Sequence, residues 1–195
     1  MLNITNLHYL DFGPINLQIK ACEIIGLSGA SGAGKSRLLR ALADLDEHAG
    51  EIRLDETPQQ AISAHAWRKK VGLLCADTHW WFDTVAEHFC EWPERQLEAL
   101  GFSQNIANWS IARLSSGEKQ RLGLLRLLQN TPDVLLLDEP TANLDSHNTG
   151  LFETFVNDYL SASSACAIWV SHDIEQLGRI CTRRYEIKQG ALHAC

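Results

Sequence analysis

Gly29-Ala30-Ser31-Gly32-Ala33-Gly34-Lys35-Ser36 is the stretch on which the reading of this chain turns. It has the form G-x-x-x-x-G-K-S, the phosphate-binding P-loop. The apolar run Glu23-Ile24-Ile25-Gly26-Leu27-Ser28 leads in, and Arg37-Leu38-Leu39-Arg40-Ala41-Leu42 leads out with a helical pattern. Strand, glycine loop and helix are the context that gives the motif meaning. Glycines let backbone N–H groups close around phosphate oxygens with no Cβ in the way. The helix that starts there adds the positive end of its dipole. Lys35 is long enough to reach terminal phosphates, and the Ser36 hydroxyl is a ligand for Mg2+. The competing reading is a glycine-rich turn that caps an ordinary helix, and the flanking strand and helix patterns speak against it.

The rest of the composition narrows the setting. A length of 195 residues with 45% hydrophobic content suits one folded α/β domain. The net charge of −7 gives no basic footprint for nucleic acid. No apolar run approaches the roughly 18 residues of a membrane span. Met1-Leu2-Asn3-Ile4-Thr5-Asn6 lacks a basic leader region, so a cytosolic protein is expected, with any membrane role carried by a partner. Cys22, Cys75, Cys90, Cys166, Cys181 and Cys195 form no Cys-x-x-Cys pair, and no two histidines stand three or four apart, which argues against zinc.

Residues 2–7 alternate loosely, and Ile15-Asn16-Leu17-Gln18-Ile19-Lys20 alternates cleanly, so both read as strands. Tyr9 lies between them. Its ring is able to stack on an adenine, or else it covers a strand edge. Glu51-Ile52-Arg53-Leu54 and Val71-Gly72-Leu73-Leu74-Cys75 read as further strands, and Arg68-Lys69-Lys70 as a solvated face. Residues 77–114 lack strand patterns and gather Trp80, Trp81, Phe82, Phe89, Trp92, Phe102 and Trp109. This is expected to be a small helical insert with Pro93 at a helix N1 position. Its aromatics make either a mini-core or an exposed partner surface.

Leu114-Ser115-Ser116-Gly117-Glu118-Lys119-Gln120 then opens a helix that runs to Leu128. Ser115 and Glu118 match a capping box, and the same serine, Gly117 and the helix N-terminus also make an anion site. Val134-Leu135-Leu136-Leu137-Asp138-Glu139 reads as a strand buried on both faces. Asp138 falls at its carboxyl end, placed to hold Mg2+ opposite Ser36, and Glu139 is placed to orient or deprotonate water. Asp145 or Ser146 caps the next helix. The strand over residues 165–171 ends at His172, on the ligand edge of the same sheet, where a γ-phosphate contact is expected.

These motifs, in this order and spacing, resemble the ATP-binding subunits of ABC transporters over essentially the whole chain. Residues 29–36 match Walker A, 114–118 the signature, 134–138 Walker B, Asn143-Leu144-Asp145 the D-loop, and His172 the switch histidine. The resemblance implies an ABC-type P-loop NTPase fold. A mostly parallel central sheet would be flanked by helices, with an antiparallel β portion at the N-terminus. A core subdomain would span 1–76 and 115–195, and a helical subdomain 77–114. It further implies ATP and Mg2+ as ligands, with Tyr9 on the adenine and Gly29, Ala30, Ser31, Gly32, Ala33, Gly34, Lys35, Ser36 and Arg37 around the phosphates. Ser36 and Asp138 would hold the metal, Glu139 would be the catalytic base, and Lys35 and His172 would support the γ-phosphate. Two copies would pair head to tail, so that Ser115 and Gly117 of one complete the site of the other. A membrane permease would receive the motion through the helical insert, holding the protein at the inner face of the membrane. A looser further likeness is to iron-export ABC ATPases.

The sequence departs from the family at several points. Ala76 stands where a glutamine is usual after the strand at 71–75, and Asp77, one residue on, has no N–H to donate. Ser116 replaces a glycine, Glu118 a glutamine, Arg37 a threonine and Cys22 a turn glycine. Two alternatives follow: an ABC ATPase outside transport, or a weakly hydrolysing module that assembles with nucleotide.

Overall fold

The alternating runs at the N-terminus become β1 (Leu2–Tyr9) and β2 (Phe12–Ile19), joined by a two-residue turn at Leu10 and Asp11. With β4 (Ala49–Leu54) and β5 (Thr57–Pro58) they form a four-stranded antiparallel sheet in the order β2-β1-β4-β5. The computed structural model describes residues 1–102 and 106–195, so residues 103–105 of the segment read as a helical insert lie outside the described residues. Pairing within β1 is interrupted between Ile4 and Leu7, and Asn6 there adopts a φ of 51°. Such a bulge moves the inward face by one residue. Leu2 and Ile4 point inward before it, and Leu7 and Tyr9 after it.

The second sheet has six strands in the order β10-β9-β3-β8-β7-β6. These are β3 (Ile24–Ser28), β6 (Val71–Leu74), β7 (Val134–Asp138), β8 (Cys166–Val170), β9 (Arg183–Lys188) and β10 (Ala191–Ala194). All neighbouring pairs from β9 to β6 are parallel, and only β10 runs antiparallel at the edge. The continuous apolar runs follow from burial on both faces. Val134, Leu136, Cys166, Ile168 and Val170 enter one core, together with α1 (Lys35–Leu42), the N-terminal sheet and Trp67 of α2 (Ala64–Lys70). Leu135, Leu137, Ala167 and Trp169 enter the other, with α4 (Ser116–Leu128), α5 (Ser146–Ser163) and α6 (Ile174–Ile180). There Phe152 meets Trp169 edge to face at 5.8 Å, a geometry that contributes about 1 kcal/mol beyond burial.

The basic run at 68–70 closes the last turn of α2, where it complements the helix dipole. The stretch 77–114 contains α3 (Glu94–Ala99), two single turns of 3-10 helix at Ala86–His88 and Ile111–Arg113, and a lone bridge between Thr84 and Ser110. Pro93 is the N-cap of α3 rather than its first helical residue. Its aromatics divide. Trp80, Phe89 and Trp109 pack on the second core, whereas Trp81, Phe82 and Trp92 are exposed at 64%, 48% and 39%.

Candidate functional site

β3 delivers the chain into the glycine loop, and α1 begins at its end. Gly34 is the N-cap of α1, with φ 93°, in the left-handed region that a side chain rarely adopts. It also has no room for a Cβ, which would lie 2.6 Å from the ring of Phe12. The turn into α1 can therefore close against Phe12 only with a glycine at this position. Lys35 is buried, and its Nζ donates to the carbonyls of Gly29 and Ala30 at 2.8 and 3.1 Å.

The loop forms one wall of a cavity of about 290 Å3. Ser31, Gly32, Ala33, Gly34, Lys35, Ser36 and Arg37 line it with Asp138, Glu139 and His172. Gly29 and Ala30 lie behind, holding Lys35. Parallel topology explains this convergence, because β3, β7 and β8 all end on one edge of the sheet. Glu139, just past the end of β7, has φ 48°. Its Oε2 accepts from the backbone N–H of His172 at 3.4 Å. Its Oε1 is buried and has no aligned donor, although the imidazole Nε2 of His172 stands 3.4 Å away. Burial pushes the Glu139 carboxyl above its ordinary range. The positive ends of His172 and Lys35 pull it back in part, and Asp138 pushes it further up. A half-buried carboxylate with one oxygen free is suited to accept a proton from a water in the cavity.

The donor set also fits a small hard cation. The exposed Ser36 hydroxyl and the Asp138 carboxylate line the same cavity, and hydroxyl plus carboxylate oxygens are the ligands Mg2+ takes. Among the described residues no group of three His, Cys, Asp or Glu side chains could hold a metal ion.

Two predicted residues sit elsewhere. Ser115 is the N-cap of α4, and the capping box is complete. Its Oγ accepts from the Glu118 N–H at 3.2 Å, and Glu118 Oε2 accepts from the Ser115 N–H at 2.8 Å. Gly117 packs on the turn after β7, where a Cβ would lie 2.8 Å from the Asn143 carbonyl oxygen. Neither lines the loop cavity of its own chain.

Tyr9 requires a correction. The bulge in β1 turns its ring inward, leaving it 2% exposed and packed on Phe12 at 5.3 Å. Burial pushes its hydroxyl up to about 12. A base has no access to that ring face. The larger apolar side chains that line the loop cavity are Phe12, at the start of β2, and Leu10, 61% exposed at the tip of the turn. Alternation alone could not find it, because the bulge breaks the count. Asp77 likewise does not replace the missing glutamine: it lines a separate groove with Trp81 and Arg126, and no residue from 75–79 borders the loop cavity.

A profile described as "ABC transporter" matches residues 12–142, two thirds of the chain. The chain belongs to the ABC transporter family. As an ABC ATP-binding protein it is an ATPase. It is 32% identical over 196 residues to the "Probable iron export ATP-binding protein FetA" of Escherichia coli (strain K12), covering 91% of this chain and 87% of that one. It is 33% identical to the "Aliphatic sulfonates import ATP-binding protein SsuB 2" of Paracoccus denitrificans (strain Pd 1222), covering 93% and 75%. Its fold matches the dimeric ATP-binding cassette MJ0796 bound to ADP and Pi, with a TM-score of 0.83 at 23% identity over 99% of this chain and 97% of that one.

Proposed function

We propose that this chain is the ATP-hydrolysing subunit of an ABC transporter, powering a separate membrane permease. It would be held on the inner face of the membrane by that permease. One observation carries the reading. Lys35, Ser36, Asp138, Glu139 and His172 meet in one cavity, while the exposed Ser115 at the head of α4 lies outside it. In this reading Lys35 and the loop amides hold the β- and γ-phosphates. Ser36 and Asp138 hold Mg2+, which neutralises charge on the phosphates when bound. Glu139 accepts the proton of the attacking water, and His172 supports the γ-phosphate. Two copies pair head to tail, each supplying Ser115 and Gly117 to the other's nucleotide. The core spans 1–76 and 115–195, and residues 77–114 form the lobe that meets the permease. The exposed Trp81 and Phe82 support that assignment, since aromatic side chains in the open are enriched at partner surfaces.

A second reading is favoured by Ala76 and Asp77, which leave the cavity without a residue from the usual sensor position. The chain would then bind nucleotide, assemble, and turn it over slowly. Light scattering with Mg-ATP and affinity capture from detergent-solubilised membranes test the two. ATP-dependent dimerisation with a co-captured polytopic membrane protein supports the transporter reading. A dimer with no membrane partner supports the assembly reading, and a monomer with or without ATP overturns both.

A further inference from the structure

Glu139 and His172 line one cavity, yet little joins them directly. The His172 N–H reaches Glu139 Oε2 at 3.4 Å, and the His172 Nε2 stands 3.4 Å from Oε1. The ladder between their strands ends at the pair Asp138 and Val170, with one more bond from the Glu139 N–H to the Val170 carbonyl at 3.1 Å. Glu139 also holds a φ of 48°, which a residue with a side chain keeps only where its surroundings fix it. Shorter bonds tie the two turns together further on. Thr141 follows Glu139 by two residues, and Gln176 follows His172 by four, in the first turn of α6. Gln176 Nε2 donates to Thr141 Oγ1 at 2.9 Å and to Glu153 Oε1 of α5 at 2.8 Å, and the Thr141 hydroxyl donates to Gln176 Oε1 at 3.2 Å. Arg179 grips Glu153 at 2.7 and 3.1 Å. The backbone of Gln176 is anchored in turn, its N–H donating to Asp173 Oδ1 at 3.0 Å.

Thr141, Glu153 and Gln176 are buried. With Arg179 they line a cavity of about 800 Å3 that shares Glu139 and His172 with the loop cavity, and none of the four lines the loop cavity itself. The link needs an amide: its NH2 serves a hydroxyl and a carboxylate at once, and its oxygen takes the hydroxyl proton. A buried network with its members bonded to one another fixes a single arrangement. We propose that Gln176 is a positioning residue for hydrolysis, its amide setting the spacing of Glu139 and His172 through Thr141. This deepens the hydrolytic reading and rests on it. Gln176 acts through the two turns and makes no contact with the nucleotide, so its loss slows the reaction and leaves ATP binding in place.

The full chain with Mg-ATP supplies the test, through single-turnover phosphate release, calorimetric ATP titration and a thermal melt for each variant. Gln176→Leu removes the amide. Thr141→Val keeps the shape of the threonine and removes its hydroxyl, and Thr141→Ser keeps the hydroxyl. Gln176→Leu and Thr141→Val are each expected to slow phosphate release about ten- to 100-fold, with ATP affinity within about twofold of the parent. Thr141→Ser is expected to stay within about threefold on both. The double variant is expected to lose no more than the slower single one, since both changes cut the same link. All rates are read well below the melting temperature of each variant, where a residue that only stabilises the fold leaves phosphate release unchanged. Parent-like release in Thr141→Val, or in Gln176→Leu where it folds, overturns the positioning role. So does a fall in ATP affinity that matches the fall in rate. A parent chain that binds ATP and releases no phosphate overturns the hydrolytic reading itself.

Discussion

In the proposed mechanism, Glu139→Gln isolates the proton-accepting step from everything else this side chain does. An amide has the same shape as the carboxylate, and its oxygen can still accept the 3.4 Å bond from the His172 N–H. The oxygen that matters is Oε1, buried, without an aligned donor, in the cavity with Lys35 and Asp138. Exchanging it for NH2 removes a proton acceptor and adds no clash. The expected deficit is therefore that of general-base catalysis alone, about 100- to 10,000-fold in turnover, or about 2.7 to 5.5 kcal/mol of barrier. Binding of ATP should stay within about twofold, because no phosphate contact is lost. Burial already penalises the charge at this position, so a neutral amide should not lower the melting temperature. Single-turnover phosphate release, calorimetric ATP titration and a thermal melt measure the three quantities. Turnover within threefold of the parent would place the proton acceptor elsewhere. A large drop in binding would mean that Glu139 orders the loop rather than serving the water.

Gly34→Ala should impair nucleotide binding and lower stability by about 1–3 kcal/mol. It forces a Cβ to within 2.6 Å of Phe12 at a φ of 93°; urea unfolding and ATP titration report both effects. Glu23→Gln should destabilise the fold by about 2 kcal/mol at pH 7. Burial raises the Glu23 carboxyl, but the bonds from Arg183 and the Lys20 N–H outweigh it and leave the group below its ordinary value. The paired carboxylate stabilises the fold above the ordinary glutamate range, and that contribution is lost as pH falls through the lowered value. The gap between parent and variant should narrow as pH falls below the ordinary glutamate range in a pH series of urea melts.

The glycine loop, the doubly buried β7 and β8, and the capping box at Ser115 were legible because each depends on local chemistry. A P-loop is set by its own glycines, and a parallel strand by its unbroken apolar run. Tyr9 was not legible. One bulge at Asn6 reverses which residues of β1 face the core, and nothing in the alternation of residues 2–7 announces it. The division of the aromatics in 77–114 was equally hidden. Trp80 and Trp81 are neighbours in sequence, yet one packs on the core and the other is open, while Arg126 lies within 4.6 Å of both rings and His88 accepts from the backbone of Trp81 and Phe82. β10 and α2 lie in stretches too short or too polar for periodicity to mark.

The Lys35 ammonium is bonded to two carbonyls of its own loop. Those two bonds tie the first residue of α1 back to the start of the glycine loop. A phosphate that takes an N–H of Lys35 competes with those carbonyls for its three donors, and the affinity is then the difference between two sets of bonds.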